Sequence, residues 1–327
     1  MTSHKELLIA TRQFAQERVW LSWWHIASTL GIALALVAIV CSELHLAGRF
    51  LASTVLGLVF VRLFVLYHDF QHGAILRGSR VGKLLMETVG LILLTPPSSW
   101  NRSHNHHHSH NSKLSTPDIG TYPLMTVDEF QRASRWRQVM YAIQRHPLTM
   151  ALGYLTVFLY GMCIRPFIAN PRRHWDGALS VACHAALLVW VGCDEVDDLL
   201  LATLLPFGLA SAVGAYLFYA QHNFPGVQIN PVHAWDYTTA ALDSSSYITM
   251  GPLMNWFTAN IGYHHVHHLN ARIPFYRLPE AMQALPDLQM PGTSSLQASD
   301  IQACLRLKLW DPDSQQLVPW SHLRKAA

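Results

Sequence analysis

The chain has 327 residues, of which 51% are hydrophobic and 13% are charged, and its formal net charge is +3. Soluble globular proteins carry about 25% charged residues, so this composition excludes an ordinary soluble domain and predicts a membrane protein with water-facing parts. The many large apolar residues exclude disorder, and the small net charge without a basic block argues against nucleic-acid binding. The five cysteines are scattered, which indicates neither a disulfide framework nor a zinc ribbon.

The first two apolar runs are predicted to form a pair of membrane-spanning helices. Charged residues precede the first run, Trp20–Val40, and no small-residue cleavage site follows it, so a secretory signal is not expected. Trp20, Trp23 and Trp24 lie where an aromatic belt would anchor a spanning helix. The second run, Phe50–Leu66, follows a short connection and nearly reaches the length of about 20 residues that a span requires.

Four further apolar runs follow in the chain: Leu84–Leu94, Leu148–Met162, Gly177–Val191 and Leu199–Tyr219. The first of these is too short to span a membrane and contains Glu87, which predicts a re-entrant or interfacial helix. We expect the second to lie on the cytoplasmic face or dip into it, because arginines flank it on both sides. The last two are predicted to form a second spanning hairpin around the acidic connection 194–198.

The distribution of basic residues sets the expected orientation. All lysines and arginines except Arg49 and Arg62 lie in the stretches 1–19, 67–147, 163–176 and 220–327. The positive-inside rule therefore puts both termini and the large central and C-terminal segments in the cytoplasm. The predicted fold class is an all-α integral membrane protein with about four transmembrane helices in two hairpins and a cytoplasmic helical cap that carries the histidines.

Histidine is the most informative residue type, with 20 copies in the chain. Three short boxes read HDFQH at 68–72, HNHHH at 104–108 and HHVHH at 264–268. Histidines three and four residues apart share one face of a helix, so each box can aim two or three imidazoles at one point. The residues with this spacing are His68, His72, His104, His107, His108, His264, His267 and His268.

These boxes predict a metal site at the cytoplasmic surface, since neither core packing nor a solvated face calls for repeated histidine pairs. Two assignments stay open within the boxes. His106 and His110 form an alternative pair, and His265 could replace His264 as the partner of His268. The isolated histidines are expected to have structural roles: His25, His45, His146, His174, His184, His233 and His322.

The donor set narrows the class of metal site. Imidazole suits iron, zinc, copper or nickel, and eight ligands exceed the four that a zinc ion takes, so we expect two ions that share the boxes. The chain contains neither Glu-x-x-His nor His-Glu-x-x-His. This absence excludes the carboxylate di-iron site of ferritin-like bundles and the common metalloprotease site.

The boxes and their surroundings resemble the integral-membrane fatty acid desaturases. FVRLFVLYHD leads into the first box, LTPPSSWNRSHNHHH surrounds the second and NWFTANIGYHHVHHLNARIPFYRLPEA surrounds the third. The chain looks like the bacterial relatives of the delta-12/omega-6 acyl desaturases over roughly residues 50–285. The resemblance implies a single desaturase domain over 1–327, with that core and a C-terminal cytoplasmic tail over about 286–327.

The resemblance also implies a ninth ligand, His222 in YAQHNF, and a catalytic non-haem centre in which the nine histidines bind two iron ions. It implies O2 as co-substrate, a fatty acyl lipid or thioester as substrate, and electrons from a separate ferredoxin, rubredoxin or cytochrome b5. The implied location is multi-pass in a bacterial inner membrane, with a cytoplasmic active site. Phe70 and Gln71 depart from the small residue and glycine usual inside the first box, which bears on substrate and regiochemistry but leaves the ligands intact.

Two charged residues near the first box need partners. Asp69 is the nearest candidate to orient a ligand histidine, and a helix-capping or solvated role is the alternative. Arg62 lies within the second apolar run, where we expect it either to reach a lipid phosphate or Asp69, or to form an ion pair inside the bundle. The family chemistry further implies an apolar tunnel that holds one C–C unit of the acyl chain near the metal.

Two other functions remain open from the sequence. A hydroxylase or a carotenoid ketolase would use the same boxes, although the surroundings of the third box favour acyl desaturation. A metal-ion transporter would use the stretch HNHHHSHN to collect cations. Transporters place histidines and acidic residues within their spanning helices, and such residues are scarce in the apolar runs of this chain.

Overall fold

The computed structural model describes residues 3–114, 119–192 and 196–324, and this part of the chain is mostly helical. The α-helices, in chain order, are α1 His4–Thr11, α2 Val19–Val40, α3 Leu46–Gln71, α4 Arg80–Ile92, α5 Pro97–His110, α6 Val127–Arg132, α7 Arg135–Gln144, α8 Pro147–Ala151, α9 Arg165–Ala169, α10 Trp175–Gly192, α11 Val196–Asp198, α12 Leu205–Ala220, α13 Tyr237–Asp243, α14 Pro252–Phe257, α15 His264–Leu269, α16 Leu278–Ala284 and α17 Ala298–Arg306.

Short helices of other types and two small sheets complete the described fold. The 3₁₀ turns are Arg12–Ala15, Val232–Ala234, Phe275–Arg277, Pro286–Leu288 and Trp320–Arg324, and the π-helical stretches are Tyr154–Ile164 and Leu199–Leu204. The strands are β1 Tyr247–Thr249, β2 Thr293–Ser295, β3 Leu309–Asp311 and β4 Gln316–Val318. Strands β1 and β2 pair in parallel with Tyr247 opposite Thr293, and β3 and β4 pair antiparallel with Leu309 opposite Val318.

Four helices of the described chain are long and apolar enough to cross a membrane: Val19–Val40, Leu46–Gln71, Trp175–Gly192 and Val196–Ala220. The last of these joins α11, a π-helical stretch and α12 into one rod. Each of the four predicted spans coincides with one of these helices. The prediction of four long apolar helices is therefore confirmed, while their path through a bilayer stays a prediction.

The two apolar runs that were not expected to span are shorter helices. Leu84–Leu94 corresponds to α4, which has 13 residues. Leu148–Met162 corresponds to α8 and the beginning of the apolar helix Tyr154–Ala169, which is below the length of a candidate span. Their predicted positions at the membrane surface stay predictions.

Helix α3 is the central element of the bundle. In its most apolar window 61% of the residues are buried, compared with 22% in α2 and in α10. A side chain at Gly57 would put its Cβ 2.9 Å from a methyl carbon of Leu209 and 3.1 Å from the carbonyl oxygen of Pro206. Glycine therefore allows α3 and α12 to pack closely, and this packing fixes the C-terminal end of α3, where the first histidine box lies.

An ion pair joins the turn of the first helical hairpin to the turn of the second. Arg49, near the start of α3, donates hydrogen bonds to a carboxylate oxygen of Asp198 and, at 2.6 Å, to the carbonyl oxygen of Val40. Asp198 belongs to the predicted acidic connection, of which Asp194 and Glu195 lie outside the described residues. The two hairpin turns therefore lie together, at the end of α3 away from the histidines.

The residues after about 286 pack against the rest of the molecule. The buried Trp310 in β3 donates its backbone N–H to the carbonyl oxygen of Met125 at 3.0 Å. The hydroxyl of Tyr141 in α7 donates to the carbonyl oxygen of Lys308 at 2.5 Å. The tail, which has no interpretable sequence motif, thus forms a cover over α6 and α7.

Candidate metal centre

Nine histidines converge in two groups, within each of which the candidate ligand atoms lie within 4.8 Å of one another. The first group, here called the five-histidine group, consists of His68, His72, His104, His108 and His267. The second, the four-histidine group, consists of His107, His222, His264 and His268. These are the nine residues that the sequence analysis singled out.

Helix geometry explains why the second and third boxes are divided between the groups. His104 and His108 lie one turn apart on α5 and enter the same group, whereas His107 is turned toward the other group. On α15, His267 is separated from His264 and His268 in the same manner. The expectation that each box aims at a single point is therefore wrong for these two boxes, because three residues at offsets of three and four spread around the helix.

The remaining ligand candidates come from helix ends. His68 lies in the last turn of α3, and His72 is the capping residue directly after this helix. His222 follows two residues after α12, in the turn that leaves the bundle. Four separate stretches of chain therefore contribute the nine imidazoles.

Within the groups, imidazole Nε2 atoms face one another at close range. His104 Nε2 lies 2.9 Å from that of His68 and 3.1 Å from that of His108, which in turn lies 3.2 Å from Nε2 of His267. In the other group, Nε2 of His222 lies 2.9 Å from that of His264. A neutral imidazole has only one proton, so such a chain of nitrogens cannot satisfy all of its members by hydrogen bonding.

Burial keeps the clustered histidines neutral. Desolvation lowers the pKa of His104, His107 and His264 well below the ordinary value, and neighbouring imidazoles lower it further. Desolvation also lowers the pKa of His222 to about 4, against the raising effect of its hydrogen bond to the Ser244 carbonyl. The nitrogen lone pairs are thus available at neutral pH, as a metal site requires.

Two of the histidines have Nδ1 partners that fix their tautomer. Nδ1 of His68 lies 3.2 Å from a carboxylate oxygen of Asp69, and Nδ1 of His222 donates to the carbonyl oxygen of Ser244 at 2.9 Å. A proton held on Nδ1 leaves the Nε2 lone pair free to bind a metal. Asp69 is 1% exposed, so the predicted orienting role fits its position and the solvated alternative is wrong.

Aromatic side chains pack against histidines of both groups. The Trp100 ring stacks on His104, with ring centroids 4.6 Å apart and an interplanar angle of 21°. Phe218 lies 5.3 Å from His107 and 5.9 Å from His104 between ring centroids. Neither aromatic was singled out from the sequence. The contact of Trp100 with His104 spans one turn of α5 and could have been found from the spacing, whereas the contacts of Phe218 join stretches far apart in the chain.

The residues present fit two bound metal ions. Each group gathers four or five neutral nitrogen donors around one point, with no carboxylate among them. Nδ1 of His104, His107, His264 and His267 is buried without a hydrogen-bond partner among the described residues, so hydrogen bonding does not account for the arrangement. A nitrogen donor set suits iron, zinc, copper or nickel.

The alternative histidine assignments lie outside both groups. His106 and His110 stack on each other with ring centroids 4.1 Å apart, and Nδ1 of His106 contacts the carbonyl oxygen of Ile119 at 3.3 Å. His265 is buried, but its Nε2 donates to the carbonyl oxygen of Leu288 at 3.0 Å. None of His106, His110 and His265 therefore belongs to the five-histidine group or the four-histidine group.

Several isolated histidines have the structural contacts that we expected. The Nδ1 atoms of His45 and His146 accept backbone N–H groups at the starts of α3 and α8. Nε2 of His184 lies 2.6 Å from the hydroxyl of Tyr154, and Nδ1 of His174 lies 2.7 Å from the hydroxyl of Ser98.

Arg62 is held differently from either expectation. It is 2% exposed, so it does not reach a lipid phosphate, and no carboxylate among the described residues forms an ion pair with it. Its guanidinium donates to the carbonyl oxygen of Trp256 and, at 3.0 Å, to the hydroxyl of Thr29, and it lies 3.1 Å from Nδ1 of His25. Neutral acceptors from α2 and α14 thus replace the expected anion, and the Trp256 ring lies 4.3 Å from the guanidinium carbon.

Two cavities flank α12, and one of them is lined by histidines of the candidate metal centre. The larger, of about 390 Å³, is almost wholly apolar and is lined by residues that include Met150, Ala212, Leu217, Met254 and Leu305. Leu217 directly precedes Phe218, which contacts the metal-site histidines. A smaller cavity of about 90 Å³ has walls that are about half polar, and it is lined in part by His107 and His222 of the four-histidine group.

Sequence comparisons match this chain to fatty acid desaturases. The sequence model of the fatty acid desaturase family matches residues 44–295. A fatty acid desaturase of Bacillus subtilis is 32% identical over 84% of this chain and 78% of its own length. A delta-12 fatty acid desaturase of Vernicia fordii is 24% identical over 81% of this chain and 74% of its own length. An sn-1 oleoyl-lipid 12-desaturase of Synechocystis is 22% identical over 71% of this chain and 66% of its own length.

Proposed function

Because this chain belongs to the fatty acid desaturase family, we propose that it introduces a cis double bond into a fatty acyl chain at a pair of histidine-bound iron ions. The observation that carries the proposal is the convergence of nine buried, neutral imidazoles in two groups. The overall reaction removes two hydrogens from adjacent carbons and, with two electrons and two protons, reduces O2 to two waters. The substrate is an acyl lipid or thioester.

We propose that the five-histidine group and the four-histidine group each hold one iron ion. Breaking an unactivated C–H bond requires an oxidant stronger than any side chain, and iron supplies this redox chemistry when bound, whereas zinc has none. The nine histidines are thus proposed as both metal ligands and catalytic residues: His68, His72, His104, His107, His108, His222, His264, His267 and His268.

Other residues of the chain prepare the site for this chemistry. Asp69 and the Ser244 carbonyl hold protons on Nδ1 of His68 and His222, so that Nε2 of each ring presents its lone pair to the metal. Trp100 and Phe218 shield the imidazoles from water. A dry environment strengthens electrostatic interactions within the site and prevents side reactions with solvent.

The large apolar cavity is the proposed site for the acyl tail. Its walls carry almost no polar surface, and it is lined by residues of α12, the helix whose Phe218 packs against His107. Acyl chains bind in apolar cavities because burial removes their methylene groups from water. In this arrangement the tail would be held while one C–C unit lies beside the metal.

We propose a multi-pass topology in the bacterial inner membrane, with both termini and the histidines on the cytoplasmic side. The ion pair between Arg49 and Asp198 supports it, because it joins the two hairpin turns at the end of α3 opposite His68. A separate ferredoxin, rubredoxin or cytochrome b5 would then deliver electrons from the cytoplasm.

Fatty acid profiling of an expressing host tests the proposal. The intact chain should produce a new unsaturated fatty acid, whereas His107→Ala should produce none and should lose the iron of the four-histidine group. His106→Ala is the matched control, because His106 is the neighbouring histidine on α5 but belongs to neither group. A hydroxylated or keto product from the intact chain would contradict desaturation, as would equal product from both histidine variants.

A further inference from the structure

Helix α7 has an exposed apolar stripe. Trp136 is 73% exposed, Val139 is 50% exposed and Ile143 is 49% exposed, and their spacing of three and four residues puts them on one face. The opposite face carries the buried Tyr141, whose hydroxyl bonds the backbone of Lys308 and Met125. The helix is therefore fixed to the protein by one side and presents large apolar side chains on the other.

Two exposed arginines border the stripe. Arg135 and Arg137 flank Trp136, and among the described residues neither guanidinium lies within 4.0 Å of a carboxylate oxygen. The nearby Arg132 differs, because it pairs with Asp128 at 3.2 Å. The apolar stripe is thus bordered by two positive charges that are free of ion pairs with the described carboxylates.

The stripe continues into surface that suits lipid. Leu148, Leu152 and Leu155 are about half exposed and lead from α7 into the apolar helix Tyr154–Ala169. Arg145, one residue after α7, lines the same small cavity as His107 and His222, so the helix lies on the histidine side of the bundle. Helix α7 is consequently situated where the apolar part of the molecule meets its polar cap.

We propose that α7 lies in the headgroup layer of the bilayer and binds anionic phospholipids through Arg135 and Arg137. Apolar and aromatic residues on one face beside basic residues are typical of helices that lie in a membrane interface. Charge complementarity favours anionic headgroups. A protein partner is disfavoured, because a stripe on a helix about 15 Å long is far smaller than the roughly 800 Å² per partner of a stable interface.

The experiment uses the full chain in lipid nanodiscs of phosphatidylcholine with and without phosphatidylglycerol. A Val139→Cys variant is labelled with an environment-sensitive fluorophore. Its background carries Cys41→Ser, which removes the cysteine that is exposed among the described residues, and Cys193→Ser, which removes the cysteine outside them. Quenching by doxyl-labelled phosphatidylglycerol is compared with quenching by doxyl-labelled phosphatidylcholine. The same label at Gln316→Cys, an exposed position at the start of β4, is the aqueous control. The background protein without an introduced cysteine reports residual labelling.

The label at position 139 should be quenched by both lipids, and more strongly by the anionic one. A basic residue near an anionic surface contributes about fivefold to lipid partitioning, so Arg135→Gln with Arg137→Gln should bring the two quenchers close to equality. Arg135→Lys with Arg137→Lys should keep the preference, because charge rather than guanidinium shape is required.

Three results would overturn the proposal. The label at position 139 could be quenched no more than that at position 316, which would mean that α7 faces water. It could be quenched equally by both lipids in all variants, which would mean that α7 has no preference for anionic headgroups. It could be protected from both lipid quenchers and aqueous iodide, which would mean that a protein covers the stripe.

Discussion

The backbone N–H of Phe275 donates a 2.7 Å hydrogen bond to a carboxylate oxygen of Asp69. The other carboxylate oxygen faces Nδ1 of His68. Phe275 belongs to the turn that follows α15, so this one carboxylate links the end of α3, with the first histidine box, to the segment that follows the third. Both contacts are buried, which makes them stronger than they would be in water.

Replacing Asp69 by Asn should remove iron from the five-histidine group. The amide oxygen can still accept from Phe275, which turns the NH₂ group toward His68. His68 must then accept on Nδ1 and carry its proton on Nε2, where the lone pair is needed for the metal. Loss of such a partner typically weakens metal affinity about 10–100-fold. Iron per chain in the purified protein should fall to about half at limiting iron.

Asp128→Asn serves as the control for that experiment, because Asp128 is exposed and far from both groups in the sequence. An Asp69→Asn protein that keeps its full iron content, with only its stability lowered, would show that Asp69 merely holds the turn at Phe275.

Arg62→Ala should destabilise the fold by about 3 kcal/mol. The substitution removes hydrogen bonds from a charged donor to Thr29 and the Trp256 carbonyl, and buried bonds of this type contribute roughly 1.5–3 kcal/mol. Arg62→Lys should lose part of this stabilisation, because an ammonium group lacks the planar guanidinium fork that reaches several acceptors. Free energies of unfolding from SDS titration in mixed micelles measure the effect, with the exposed Arg80→Ala as control. Equal stability of the Arg62 and Arg80 variants would contradict this assignment.

Lys308 should give the protein a pH-dependent stability. Burial, together with the charge of Arg145, lowers the pKa of Lys308 from 10.5 to about 8, while its Nζ donates to the Arg145 carbonyl at 2.6 Å. Between these two pKa values the unfolded chain binds more protons at this residue than the native chain does. The contribution of Lys308 to stability should therefore be complete above pH 10.5 and decline as the pH falls to about 8.

The comparison of wild type with Lys308→Met isolates that contribution. The difference in their melting temperatures should change in favour of the wild type as the pH rises through this window. Lys83→Met, at an exposed lysine, should show a constant difference from wild type. A constant difference for Lys308→Met as well would contradict the prediction.

Cys41 offers a test of the proposed topology. It is an exposed free thiol in the turn after α2, next to the end where Arg49 meets Asp198. In a Cys193→Ser background, a membrane-impermeant maleimide added to intact spheroplasts should therefore label Cys41, and the further change Cys41→Ser should abolish this labelling. Arg102→Cys, at an exposed position of α5, is added to the background without either thiol and should react only after the membrane is permeabilised. Labelling of both sites from the same side would contradict the topology.

Filling the apolar cavity should change the preferred acyl length. Ala212 lines this cavity, and Ala212→Phe would occupy part of the space proposed for the acyl tail. Desaturation of longer chains should fall more than that of shorter chains in the fatty acid profile. Ala186→Phe adds the same volume on an exposed position of α10 and should leave the profile unchanged. If Ala212→Phe reduced desaturation by the same proportion at every chain length, the loss would reflect general damage and would contradict a role of this cavity in selecting acyl length.

The sequence predicted the long apolar helices and eight of the nine converging histidines because both depend on local spacing, whereas His222 was expected only from the family resemblance. Apolar runs near 20 residues and histidines at offsets of three and four are read directly from the chain. The division of the second and third boxes between two groups was not predictable, since it depends on how α5 and α15 are rotated against each other. The partners of Arg62 were missed for a related reason: Thr29 and Trp256 lie 33 and 194 positions away in the sequence.

The histidine groups are assembled from four stretches of chain that are distant in sequence, at the ends of α3 and α12 and within α5 and α15. Any cation that they bind consequently acts as a removable cross-link, which closes long loops that the unfolded chain would otherwise leave open. Because ligand binding to the native state shifts the folding equilibrium, metal supply would govern how long the polypeptide survives proteolysis in the cell as well as whether it turns over substrate. Starvation for the ion would then lower the abundance of the protein.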